Sequence, residues 1–228
     1  MRTAFLCDKA ISGDDQVKAT ISMVIGLAAL AAGAALSQGT SAGISEADKA
    51  TMLASCAACH GGAGEGNEAR SAPRLAGLDA VYLERQLELF ASGQRGTMSG
   101  DPFGSQMYVI AQSLKPEDRK VAAIHYASID AAASPLTLSE TPSRGKQSYE
   151  VCAACHGDDG AGNADIGAPR IAGQSDWYIL RSLETFHSGA RGFDEDDASG
   201  QQMRMALEAV DPSEFESIAA YAASMEAK

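Results

Sequence analysis

An all-α fold of two small tandem domains is what this sequence predicts, and three observations carry that prediction. Sliding the chain by 96 positions matches its first half to its second without a gap, so one small unit is duplicated rather than many short units stacked. Apolar residues recur at helical spacing in both copies, Tyr82, Leu83, Leu87 and Phe90 against Tyr178, Ile179, Leu183 and Phe186. Neither copy shows the alternation of a sheet, and the Gly-rich stretches read as loops.

The N-terminal part stands outside the repeat. Residues 21–36 form an uncharged, small-residue apolar stretch preceded by Arg2, Lys9 and Lys18, the layout of an export signal. Small residues at 35–37 and 40–42 offer cleavage points, and an uncleaved segment 21–36, borderline in length for a membrane span, would tether the protein to a membrane. The expected division is therefore 1–42 signal peptide or anchor, 43–129 first domain, 130–142 linker and 143–228 second domain.

Each helix has a start and a stop signal. The first opens at Ser45, with Ile44 before it and Asp48 in the box position, and runs into Cys56; Pro142 and Ser143 open its counterpart toward Cys152. The middle helices follow Asp79 and Ser175 as N-caps and stop at Gly93 and Gly189. The last begin at Pro116 and Pro212, where Asp211 and Glu214 make a box-like pair, and end near Ser128 and Met225. The stretches that hold Met107 and Met203 read as loops before those last helices.

The chemistry sits in a pentapeptide. Cys-Ala-Ala-Cys-His occurs at 56–60 and again at 152–156, the C-x-x-C-H attachment signature of c-type haem. On one helical turn, thiols three residues apart can form thioethers to the two haem vinyls while the adjacent His rotates under the iron. A redox dithiol would need a βαβ context, and a zinc site four ligands at matched spacing; neither is present. Two covalently bound haem c groups are expected, held by Cys56, Cys59, Cys152 and Cys155, with His60 and His156 on the irons. Only Cys7 remains among the five cysteines, so no disulfide framework can form. Haem would also supply core volume to domains of about a hundred residues, which are small for a purely apolar core.

The sixth ligand is a question of matching. Met107 and Met203 occupy equivalent repeat positions, each preceded by Gly-x-Gln, whereas Met98 and Met205 have no counterparts. A lone Met is usually core filler, but a matched pair beyond the box is expected to ligate iron. His125 and His187 face Tyr221 and Ala91 in the repeat, which leaves them packing or surface roles.

The net charge of −12 argues against a nucleic-acid partner. Residues 43–142 carry 8 basic and 12 acidic groups, giving −4, and residues 143–228 carry 7 and 15, giving −8. The run Asp194-Glu195-Asp196-Asp197 reads either as a solvated loop or as a face for a basic redox partner.

With boxes, prolines and methionines in place, residues 45–226 resemble class I cytochromes c, and the tandem arrangement resembles the dihaem cytochrome c4 family. The resemblance implies a helical wrap round each haem and His/Met ligation by His60 with Met107 and His156 with Met203. It implies that the Pro73 and Pro169 carbonyls accept the Nδ1 proton of the axial His, and it leaves Arg74 and Arg170 as candidates for the haem propionates. Filled axial positions imply a carrier rather than an enzyme: a periplasmic protein passing single electrons from a quinol-oxidising complex to a terminal oxidase or reductase. The alternatives are a cytochrome subunit of a larger oxidoreductase, of the flavocytochrome sulfide dehydrogenase or alcohol dehydrogenase type, or a dihaem peroxidase or thiosulfate-oxidising enzyme.

Overall fold

The computed structural model describes residues 44–130 and 132–226; the apolar segment 21–36 and its proposed cleavage points lie outside them. Each half contributes four α-helices: α1 Glu46–His60, α2 Ala80–Ser92, α3 Pro102–Gln112 and α4 Pro116–Ala127, then α5 Glu150–His156, α6 Asp176–His187, α7 Ala198–Leu207 and α8 Phe215–Ala223. Among the described residues there is no strand, and the only β-type pairings are isolated bridges joining Asn67 to Ala72 and Asn163 to Ala168.

The first half begins as its sequence dictates. Ser45 Oγ accepts from the Asp48 amide at 3.1 Å, and its hydroxyl donates to the Asp48 carboxylate at 2.7 Å. The second half departs from the expected single helix: a tight 3₁₀ segment, Pro142–Lys146, and a turn precede a seven-residue α5. Gly145 explains the departure, because it lies so close to the Ser217 carbonyl of α8 that a Cβ there would collide. Packing on α8, not propensity, sets the path of this segment.

The N-caps also diverge between copies. Asp79 accepts from the Tyr82 amide at 3.0 Å and Gly93, at φ 83°, closes α2. Ser175 sits at the N-cap of α6, yet its hydroxyl makes no cap bond and donates to Ser134 Oγ at 3.1 Å. Asp79→Ala is therefore expected to cost about 1 kcal/mol of stability while Ser175→Ala leaves helix capping untouched, a contrast that urea unfolding of the two variants measures. The last helices differ similarly. Asp118 accepts from the Lys115 amide at 3.3 Å to start α4. In the second copy a 3₁₀ turn, Pro212–Glu214, leads into α8; Asp211 takes the Ser213 amide at 2.9 Å, and Glu214 accepts from Ser148 Oγ at 2.7 Å instead of returning to Asp211.

The expected loops around the paired methionines are helices. Asp101 and Asp197 cap α3 and α7 by accepting from the Gly104 and Gly200 amides at 2.8 and 3.0 Å. Both helix starts press on the chain before them: the Gly104 carbonyl lies against Gly96 (φ 85°) and the Gly200 carbonyl against Gly192 (φ 67°), where any Cβ would strike the oxygen. Asp197 is thus buried, and Asp194 accepts from Gln94 Nε2 at 3.2 Å, so half of the acidic run serves the fold.

The core of the first half is Leu78, Leu83, Ala123 and Tyr126; that of the second is larger, built on Tyr149, Ile179, Leu183, Phe186, Leu207, Phe215 and Ile218. The halves meet through reciprocal contacts. Arg85 Nη2 donates to the Gly167 carbonyl at 2.7 Å and its repeat partner Arg181 to the Ser71 carbonyl at 3.1 Å. Residue i of one copy touches j of the other and the reverse, which is the pattern of a twofold interface. The connecting segment is fastened to the second half by Asp176, whose carboxylate accepts from the Thr137 and Leu138 amides at 2.6 and 2.8 Å.

Candidate functional site

Both pentapeptides border one cavity of about 540 Å³ between the helices. In each, the helix ends on the His and a glycine with positive φ turns the chain away, Gly61 at 87° and Gly157 at 82°. The following loop folds back so that the Pro73 carbonyl stands 2.7 Å from His60 Nδ1 and the Pro169 carbonyl 2.8 Å from His156 Nδ1. A carbonyl only accepts, so Nδ1 carries the proton and Nε2 keeps its lone pair. Burial pushes both imidazoles below their ordinary pKa, with the proline carbonyls partly opposing it. The neutral ring is the form that binds metal.

The thiols behave differently from a reactive dithiol. Burial raises Cys56 above the usual thiol range and pushes Cys152 up to about 11. Redox-active cysteines sit where the thiolate is favoured, so this setting is wrong for dithiol exchange. Among the described residues no group of three or more His, Cys, Asp and Glu side chains is placed to hold a metal ion by itself.

Met107 on α3 and Met203 on α7 border the same cavity, half-buried, whereas Met98 and Met205 are exposed and do not border it. His125 stacks edge-on to Tyr126 and His187 to Phe215, and neither borders the cavity. The walls are apolar, with Leu83, Phe90, Leu183 and Phe186 among them. Buried unpartnered guanidinium nitrogens, Nε of Arg85 and of Arg95, also belong to residues that border it. Paired thiols, an imidazole with a free Nε2, a thioether, apolar walls and unanswered cationic donors fit a haem, a flat apolar ring with a central metal and two carboxylates.

Arg74 and Arg170 border the cavity too, and both donate to backbone carbonyls. Each Nε donates to the carbonyl two residues on, Ala76 at 2.9 Å and Ala172 at 3.1 Å, and Arg74 Nη1 donates to Ala132 and Gly173 at 3.0 and 2.9 Å. Arg74 thereby joins its own loop to the connector and to the second half. Tyr82 and Tyr178 of the helical stripe stand on the cavity wall together with Gln86, Arg95 and Arg191, which no sequence motif marks. Arg95 and Arg191 hold the same repeat position, and both are buried.

Comparisons with known proteins point the same way. The family model for cytochrome c matches residues 45–125 and 142–226. The thiosulfate dehydrogenase electron acceptor of Stutzerimonas stutzeri (strain A1501) is 33% identical over 186 residues, covering 75% of this chain and 78% of its own. Cytochrome c4 of Azotobacter vinelandii is 31% identical over 187 residues, covering 76% and 81%. The structure of reduced recombinant cytochrome c4 from Pseudomonas stutzeri matches with a TM-score of 0.63 at 25% identity, over 81% of this chain and 100% of that one.

Proposed function

The chain belongs to the dihaem cytochrome c4 family of class I cytochromes c, and from that premise we propose that it carries electrons through two His/Met-ligated haems in a periplasmic respiratory chain. Two covalent haem c groups and electron transfer rather than catalysis follow from the family; the ligand set, the compartment and the partners are the proposal. The observation that carries it is the matched geometry of the two copies. In each, a box His is fixed through Nδ1 by a proline carbonyl, and a Met from the equivalent helix borders the same cavity.

A bound haem iron supplies one-electron exchange. The chain's residues supply the rest. Cys56, Cys59, Cys152 and Cys155 fix the ring covalently; Pro73 and Pro169 hold the imidazoles in one orientation and tautomer. The thioethers of Met107 and Met203 are soft, neutral donors, which favours the reduced metal and a high potential. A haem held by both an imidazole and a thioether of this chain would have no position left for a substrate.

The expected route is from a quinol-oxidising complex to a terminal oxidase or reductase. A second reading is favoured by one relative: the Stutzerimonas protein accepts electrons from thiosulfate dehydrogenase by its name, so this chain is also a candidate acceptor subunit for such an oxidoreductase. Among the described residues no helix is long and apolar enough to cross a membrane. A redox titration with visible spectra tests the proposal: two haems per chain, each with a thioether–ferric absorption band, are expected. One haem per chain, or a missing thioether band on either, overturns it.

A further inference from the structure

One arginine of the second half reaches both the loop that holds His60 and the helix that carries Met107. Arg181, on α6, donates through Nη1 to the Ser71 carbonyl at 3.1 Å. Ser71 stands two residues before Pro73, whose carbonyl accepts from His60 Nδ1 at 2.7 Å. Its backbone is left-handed, at φ 54°, where the repeat partner is Gly167; a serine keeps that conformation only where its surroundings over-determine it. The guanidinium carbon of the same arginine lies 4.3 Å from the ring centroid of Phe103 and 4.8 Å from that of Trp177, so one aromatic ring from each half shares the cation. Phe103 precedes Met107 by four residues on α3, which puts both on one face of that helix.

The second site keeps half of this arrangement. Arg85, the repeat partner of Arg181, donates to the Gly167 carbonyl, two residues before Pro169, so the contact to the imidazole-holding loop is reciprocated. Its guanidinium, however, lies over Tyr82 of its own helix, 5.7 Å from the ring centroid. Ser199 stands where the first copy has Phe103, and its hydroxyl donates to Asp197 Oδ1 at 3.3 Å, within its own helix start. Val81 stands where the second copy has Trp177, and it is 70% exposed. Charge favours the first site as well. Burial lowers the Arg181 pKa, and Tyr178, Asp101 and Glu184 oppose that; Asp101 is the residue that caps α3.

We propose that Arg181, with Phe103 and Trp177, is a positioning clasp through which the second half steadies Met107 on the first iron, and that Met203 has no counterpart clasp. The proposal rests on the dihaem, His/Met reading above. The clasp joins the loop that fixes one axial ligand to the helix that presents the other, so neither moves without the same guanidinium. Groups outside the ligand set that hold its members in place tune how firmly the metal is bound. The two redox sites are thereby unequal: the first takes part of its ligand geometry from the second half, and the second holds its methionine with residues of its own half.

Full-length ferric holoprotein tests this with imidazole as the probe, a small base that competes with a thioether for the iron. In Met203→Ala the remaining thioether band belongs to the first haem, and in Met107→Ala to the second; only that band is read, so imidazole at the vacated iron does not register. Arg181→Ala added to Met203→Ala is expected to let imidazole displace the band at about tenfold lower concentration. Added to Met107→Ala, it moves that concentration by less than about twofold. Arg181→Lys, which keeps a cation beside the rings but loses the fork, falls between. A single haem in the unaltered protein, or no thioether band in Met203→Ala, refutes the reading beneath and the clasp with it. With both haems and the band in place, an unchanged value at the first haem, or equal shifts at both, overturns the clasp even where urea unfolding shows lost stability. Should Arg181→Ala fail to accumulate, Phe103→Leu decides: a shift at the first haem alone supports the clasp, and an unshifted value overturns it.

Discussion

Met107→Ala removes the thioether–ferric absorption of one haem and leaves the other's intact, and Met203→Ala does the reverse; the double variant loses it altogether. Each single variant also lowers one midpoint potential, on the order of 100 mV, because axial ligands set haem potentials over a wide range. Met98→Ala and Met205→Ala change neither quantity, since those side chains are exposed and border no part of the cavity. Spectra of oxidised protein and a potentiometric titration measure both. A full-intensity band in Met203→Ala would sink the ligand assignment for the second site.

Gly96→Ala and Gly192→Ala carry the largest expected loss of stability. Both positions have positive φ, and both lie against a carbonyl, of Gly104 and Gly200, that a Cβ would strike. Left-handed backbone costs a non-glycine about 1 kcal/mol and overpacking about 2 kcal/mol, about 3 kcal/mol together. The carbonyls belong to the first turns of α3 and α7, so relief of the clash moves the helices that carry Met107 and Met203. Urea unfolding of the holoprotein should show the loss, and the thioether band of the affected half should weaken with it. A variant with wild-type stability would show that the strap before each helix yields freely.

The residues that bind directly were legible because their spacing is dictated by chemistry. Two thiols and an imidazole on one turn, a proline thirteen residues beyond each His, and a methionine at the same offset in both copies need no tertiary information to be found. The helix starts marked by Ser45, Asp79 and Pro116 were legible for the same local reason. What could not be read depends on contacts between distant segments. Ser-Gly-Gln-Gln in α7 has no apolar stripe, and it is helical because buried Asp197 caps it and Leu207 anchors its end in the core. Ser175 had the right side chain for a cap, but Ser134 of the connector takes its hydroxyl. Gly145 broke the expected helix only through α8. The arginine pair was invisible because a repeated Arg-Gly reads as surface until both guanidinium groups prove to be buried.

The reciprocal Arg85 and Arg181 contacts have a consequence for concentration. Two separate copies with this interface would associate and part according to dilution. Joined by a connector fastened through Asp176, they meet at an effective concentration on the order of millimolar whatever the bulk value. The junction and the charges enclosed in it thus stay closed in a single dilute molecule, and each copy is free to diverge in sequence without losing its mate. Gln86 opposite Ser182, and −4 opposite −8, are that divergence made visible.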